Sequence, residues 1–126
     1  MLKPQRRMIP YSPQSYLLAG LMITALVCPA LAQTQAAMNA QARAEFQKAD
    51  AQLNKTYESL MSALPDAESK RKLRESQRAW ITFRDAEVAF AADEVRGGSM
   101  VPTIRYTTMT EITQQRIKQL KAGFPK

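Results

Sequence analysis

The chain contains neither glycine nor proline from Asp66 to Arg96, so one long helix is permitted there. Within that span, Leu73–Phe90 (LRESQRAWITFRDAEVAF) holds the single tryptophan, Trp80, and two of the four phenylalanines. Leu73, Trp80, Ala91 and Val95, with Gln77, Arg84 and Glu87–Val88 between them, follow at three- and four-residue steps, the spacing of one helix face. The stripe is apolar at its ends and polar in its middle.

The first 32 residues read differently. Lys3, Arg6 and Arg7 form a basic n-region, and Leu17–Val27 (LLAGLMITALV) is an apolar run too short for a comfortable membrane span. Ala30-Leu31-Ala32 supplies the small-x-small pattern after which signal peptides are cut. The expected mature chain is therefore Gln33–Lys126, 94 of the 126 residues, released to the periplasm or the exterior. Met8 is an alternative start. Cys28 would suit a lipid anchor, but Val27 is bulky where a lipobox needs a small residue. Met-Ile-Pro after Arg6-Arg7 matches a twin-arginine signal poorly. Membrane attachment is expected only through an uncleaved signal or through Cys28.

Cleavage removes three basic residues and no acidic ones from a formal charge of +7, leaving +4. That charge is mild and interspersed, which suits a soluble surface and argues against a nucleic-acid groove. The mature segment has no cysteine and no histidine, so packing alone holds the fold. A chain of this length buries on the order of 60–65% of its unfolded surface, enough for one core and one domain.

A first helix is predicted over Met38–Leu64, after a short polar lead at 33–37. Its stripe is Phe46, Asp50, Leu53, Tyr57, Leu60 and Leu64, and Pro65 ends it. Asp66 is the expected N-cap of helix two, with Glu68 in its first turn. The basic cluster Lys70, Arg71, Lys72 and Arg74 follows, offset by Asp66–Lys70, Glu68–Lys72 and Arg71–Glu75 pairs. Gly97-Gly98-Ser99 stops helix two, and Pro102 fits the first turn of helix three. The third stripe is Ile104, Thr108, Ile112 with Met109 beside it, Gln115–Arg116 and Leu120, in a helix running to about Lys121.

Short joints predict an antiparallel up-down-up three-helix bundle. Turning at Pro65 sets Leu60 by Leu73, Tyr57 by Gln77, Leu53 by Trp80 and Asp50 by Arg84. The last is a partly buried pair that would act as a register device. Turning at Gly98 sets Thr108 by Val88, Ile112 by Arg84 and Arg116 by Trp80, where either arginine can stack on the indole.

The segments that carry this pattern also resemble a known family. Ala49-Asp50-Ala51-Gln52-Leu53-Asn54-Lys55-Thr56-Tyr57 is similar to an AD-x-x-LN-x-x-Y signature. Gln77-Arg78-Ala79-Trp80-Ile81, followed by Phe83-Arg84-Asp85-Ala86, is similar to QRAW-x-x-[FY]RDA. Gly97-Gly98-Ser99 and Thr113-x-x-Arg116-x-x-x-Leu120 follow in order. Over residues 38–121 the chain resembles the LprI-type lysozyme inhibitors, specifically their N-terminal domain. The resemblance implies a small secreted or envelope-anchored helical domain, with a lysozyme as partner for some members. Members often carry cysteines where Gln41, Val88 and Thr108 stand here. Loss of a Val88–Thr108 cross-link would forgo about 2–4 kcal/mol.

Catalysis is not expected. Without histidine or mature cysteine there is no His-based triad, no His metal site and no thiol nucleophile. Asp85/Glu87 and Asp93/Glu94 lie on one helix, and a small bundle has little room for a glycosidase cleft between carboxylates. No cofactor or metal is expected.

Two features are candidates for binding. The tip at residues 97–102 (GGSMVP), with Ser99, Met100 and Val101 between Arg96 and Arg105, would present exposed apolar residues with basic shoulders to an acidic cleft. The polar centre of Asp50, Gln77, Trp80, Arg84, Asp85, Thr113 and Arg116 reads as structural, with a small-ligand pocket as the other reading. The positive charge opposes approach to a basic lysozyme. An acidic target, such as another bacterium's muramidase or an anionic envelope polymer, fits the charge better. The function that the resemblance implies is a non-enzymatic envelope protein that occludes a muramidase cleft. The alternative is an adaptor of the cell envelope that binds anionic surfaces or an envelope protein.

Overall fold

The computed structural model describes the backbone of residues 15–123 and the side chains of residues 30–123. The described residues form three helices and no strand: α1 (Ser15–Ala63), α2 (Ala67–Asp93) and α3 (Val101–Ala122). The chain divides into two compact units, residues 1–34 and residues 35–126.

In the first unit, the basic n-region lies outside the described residues, as do the side chains of the apolar run and Cys28. Ala30, Leu31 and Ala32 are helical and exposed. Among the described residues, no helix is long and apolar enough to cross a membrane.

The helix does not begin at Met38. Residues 33–37, read as a polar lead, are already helical. No glycine or proline interrupts the chain from Leu31 to Leu64, the residues there are rich in alanine and glutamine, and Gln35 Nε2 donates to Asn39 Oδ1 one turn on.

The breaks after Ala63 follow local rules. Pro65 closes α1, and Asp66 caps α2 from extended backbone (φ −138°, ψ 163°), its carboxylate accepting from Ser69 N at 2.8 Å and Ser69 Oγ at 2.9 Å. That commitment removes Asp66 from the expected pairing with Lys70. Glu68–Lys72 (3.7 Å) and Arg71–Glu75 (2.5 Å) do pair. α2 ends at Asp93, three residues before the expected stop. The chain then tightens through Val95 N to Ala92 O and Arg96 N to Asp93 O before Gly97 takes a positive φ of 77°. Pro102 stands in the first turn of α3.

The core is Leu53, Leu60, Leu64, Leu73, Trp80, Ile117 and Leu120, with Tyr57, Met61 and Ile112 packed against it. Each fully buried leucine contributes about 1.5–3 kcal/mol of transfer free energy. The four residues expected to meet across the first turn, Leu53, Leu60, Leu73 and Trp80, share this one cluster.

On α2 the buried face is Leu73, Trp80, Val88 and Ala92, with Ala91 and Val95 only half-buried. On α3 the face differs from the one read from its apolar residues. Thr110, Thr113, Ile117 and Leu120 are buried, while Ile104, Thr108, Met109 and Ile112 are half-buried. α2 and α3 are the closest-packed pair of helices, while Thr110 of α3 shares a groove with Glu45, Lys48, Ala49 and Gln52 of α1.

Candidate functional site

Trp80 organises the polar centre. It is buried, with the Arg84 guanidinium 5.3 Å and the Arg116 guanidinium 5.9 Å from its ring centroid. Both contacts fall in the range of cation–π attraction. Arg116 donates through Nε to Gln77 Oε1 at 3.1 Å and through Nη2 to Ser76 Oγ at 2.9 Å. Burial lowers its pKa from the ordinary arginine range.

Arg84 does not pair with Asp50. Its Nε and Nη2 both donate to Asp85 Oδ1, at 3.0 and 2.8 Å. Asp50 is half-buried and accepts from Asn54 Nδ2 at 3.4 Å. Asp85 adjoins Arg84 in the chain and keeps its carboxylate largely in water, so this pairing avoids burying a charge pair between helices. Gln77, Trp80, Arg84, Asp85 and Arg116 are thus brought together. Thr113 lies at 0% exposure with no hydrogen-bond partner for Oγ1 among the described residues.

The tip is less open than its sequence suggests. Arg96 is held by Asp93 at 2.6 Å. Ser99 and Arg105 are exposed, but Met100 and Val101 are half-buried. Met100 is the N-cap of α3 and its carbonyl accepts from Ile104 N at 3.0 Å. The backbone there is already committed to the helix, and the two apolar side chains are partly withdrawn from water.

The outer face of α2 was not anticipated. Phe83 is 54% and Phe90 72% exposed. Ala79, Phe83, Ala86 and Phe90 recur at four, three and four residues, and Glu87 and Glu94 share their side of the helix. All six are exposed. Residues 85–94 carry Asp85, Glu87, Asp93 and Glu94 and no basic residue, whereas residues 70–78 carry five basic residues and one acidic. α2 therefore changes sign along its length. A second three-and-four-residue stripe, roughly a third of a turn around the helix from the first and bordering it at Glu87, was the available signal. Among the described residues, no cluster of three or more His, Cys, Asp or Glu could hold a metal ion.

A protein-family model described as "Lysozyme inhibitor LprI" matches residues 28–120. An uncharacterized protein of Rhizobium meliloti (strain 1021) is 33% identical over 102 residues, covering 71% of this chain and 73% of the relative. No solved structure matches. The family match takes in the Trp80 centre, the outer face of α2 and nearly all of α3, and the chain belongs to the LprI lysozyme inhibitor family.

Proposed function

We propose that this protein is a non-enzymatic binding protein that inhibits a lysozyme by seating the outer face of α2 against the enzyme. The observation that carries the reading is the exposed Phe83–Phe90 stripe with Glu87 and Glu94 on its flank. Aromatic residues, phenylalanine among them, are enriched at the buried cores of protein interfaces. Two carboxylates on the same side complement a basic enzyme, so the overall positive charge of the chain does not decide the encounter. The local field of the acidic half of α2 does. The tip, with exposed Ser99 and Arg105, continues from the same end of α2 and would reach toward the carboxylates of the enzyme's cleft. Met100, Val101 and Arg96 would support it from behind.

The reading rests on an up-down-up scaffold. Contacts of Thr103 with Asn39 and of Tyr106 with Phe46 (ring centroids 6.1 Å apart) step the same way along α1 and α3, as that order requires. It also places residues 1–32 as a signal peptide cleaved near Ala32, and residues 33–126 in the periplasm or outside the cell.

A lysis assay across several lysozymes tests the proposal. Phe83→Ser with Phe90→Ser should weaken inhibition by about thirtyfold or more, with an unchanged circular-dichroism spectrum. Met100→Asp and Arg105→Glu test the tip separately. Full inhibition by the double α2 variant would remove the face from consideration. The second reading, an envelope adaptor for anionic surfaces, is favoured by Lys70 and Arg74, which have no salt-bridge partner among the described residues. Adaptor binding would collapse as salt rises, whereas an interface built on Phe83 and Phe90 would persist.

A further inference from the structure

We propose that the groove where the α1–α2 turn meets the C-terminal half of α3 binds a small carboxylate carried on a short apolar tail, as a medium-chain fatty acid presents it. The groove encloses about 370 Å³, with Leu64, Leu73 and Leu120 on its floor and Lys72, Ser76 and Arg116 on its rim. That volume lies at the small end of ligand sites, about 300–1,000 Å³, so it suits a tail of a few carbons.

The rim is built for an anion. Arg116 makes its hydrogen bonds only to neutral acceptors, Ser76, Gln77 and, at 3.4 Å, Gln119. Among the described residues it pairs with no carboxylate, in contrast to Arg84, which has Asp85. A half-buried guanidinium in this state has lost water without gaining a counter-charge. The donors it has left suit a carboxylate, which accepts charge-assisted bonds from a planar fork. Lys72 touches Glu68 only at 3.7 Å and its side chain is 70% exposed, so its ammonium can turn to the same anion. The leucines select against an anion with no tail, and the two cations select against an apolar tail that carries an amine.

The site reports on itself. Arg116 lies over Trp80, the only tryptophan, so an anion on Arg116 changes the indole's electrostatic surroundings and its fluorescence. Titration of the full chain with sodium octanoate, sodium acetate and octylammonium, read by that fluorescence and by calorimetry, tests the proposal. Octanoate should bind saturably at one site. Acetate should bind about tenfold more weakly or worse, because it leaves the leucines uncovered, and octylammonium should not bind.

Ser76→Asp places a carboxylate beside Arg116 Nη2 and should abolish octanoate binding while the melting temperature holds. Lys72→Glu, at a largely exposed position, should weaken it at least about tenfold and serves if Ser76→Asp does not fold. Absence of octanoate binding, equal binding of octylammonium, or unchanged affinity in a folded Ser76→Asp or Lys72→Glu protein would each overturn the assignment.

Discussion

Thr113 offers the sharpest test of the packing. Its side chain is fully buried and Oγ1 has no partner among the described residues. A buried hydroxyl left unsatisfied costs about 1–3 kcal/mol. Valine has nearly the same shape and a similar helix propensity, so Thr113→Val removes the orphaned group without opening a cavity. The expected result is a gain of about 1–2 kcal/mol, or about 4–8 °C per kcal/mol in melting temperature for a domain of this size. Urea unfolding followed by far-ultraviolet circular dichroism and by Trp80 fluorescence measures it.

Thr110→Val is the internal control. Thr110 Oγ1 donates to Tyr106 O at 2.8 Å, so its hydroxyl is satisfied and the same substitution should be neutral or slightly destabilising. A Thr113→Val protein less stable than the parent by more than about 0.5 kcal/mol would mean that the hydroxyl is satisfied in solution, and would refute the reasoning.

Other outcomes follow from the same geometry. Leu53→Ala, at 2% exposure in the centre of the core, should cost about 2–5 kcal/mol in urea unfolding. Gly97→Ala meets no atom within 4 Å of the added Cβ, so its cost comes from the positive φ alone, about 1–2 kcal/mol. The carboxyls of Asp66 and Glu68 are held below their ordinary values, Asp66 chiefly by the Ser69 backbone N–H and Glu68 chiefly by Arg71. A carboxylate with a depressed folded pKa contributes stability that is complete above its unfolded pKa and lost as pH falls through its folded one. Stability should therefore decline as pH drops through and below the ordinary carboxylate range, and Asp66→Ala should flatten that acid limb in a pH series of thermal melts.

What the amino-acid order determined was whatever depends on a residue and its near neighbours. Pro65 has no N–H to extend α1, Asp66 bonds a donor three residues away, Pro102 fits a first helical turn, and the leucines of α1, like Leu73 and Trp80 of α2, recur at helical steps. The meeting of Leu53 and Leu60 with Leu73 and Trp80 in one core was legible because two separately read stripes fitted the turn at Pro65, and that of Arg116 with the indole because the third stripe fitted the turn at Gly98.

The tertiary structure decided which of several available partners each side chain took. Arg84 could reach Asp50 or Asp85, and the solvated neighbour avoids the desolvation that a pair buried between helices requires. On α3, Thr110 and Thr113 are buried beside Ile117 and Leu120 while Ile104 and Ile112 are only half-buried, because the inward face is set by where the two neighbouring helices lie and not by the spacing of the apolar residues alone. Phe83 and Phe90 stand exposed because α2 has apolar residues on two sides, and the two neighbouring helices cover only one of them.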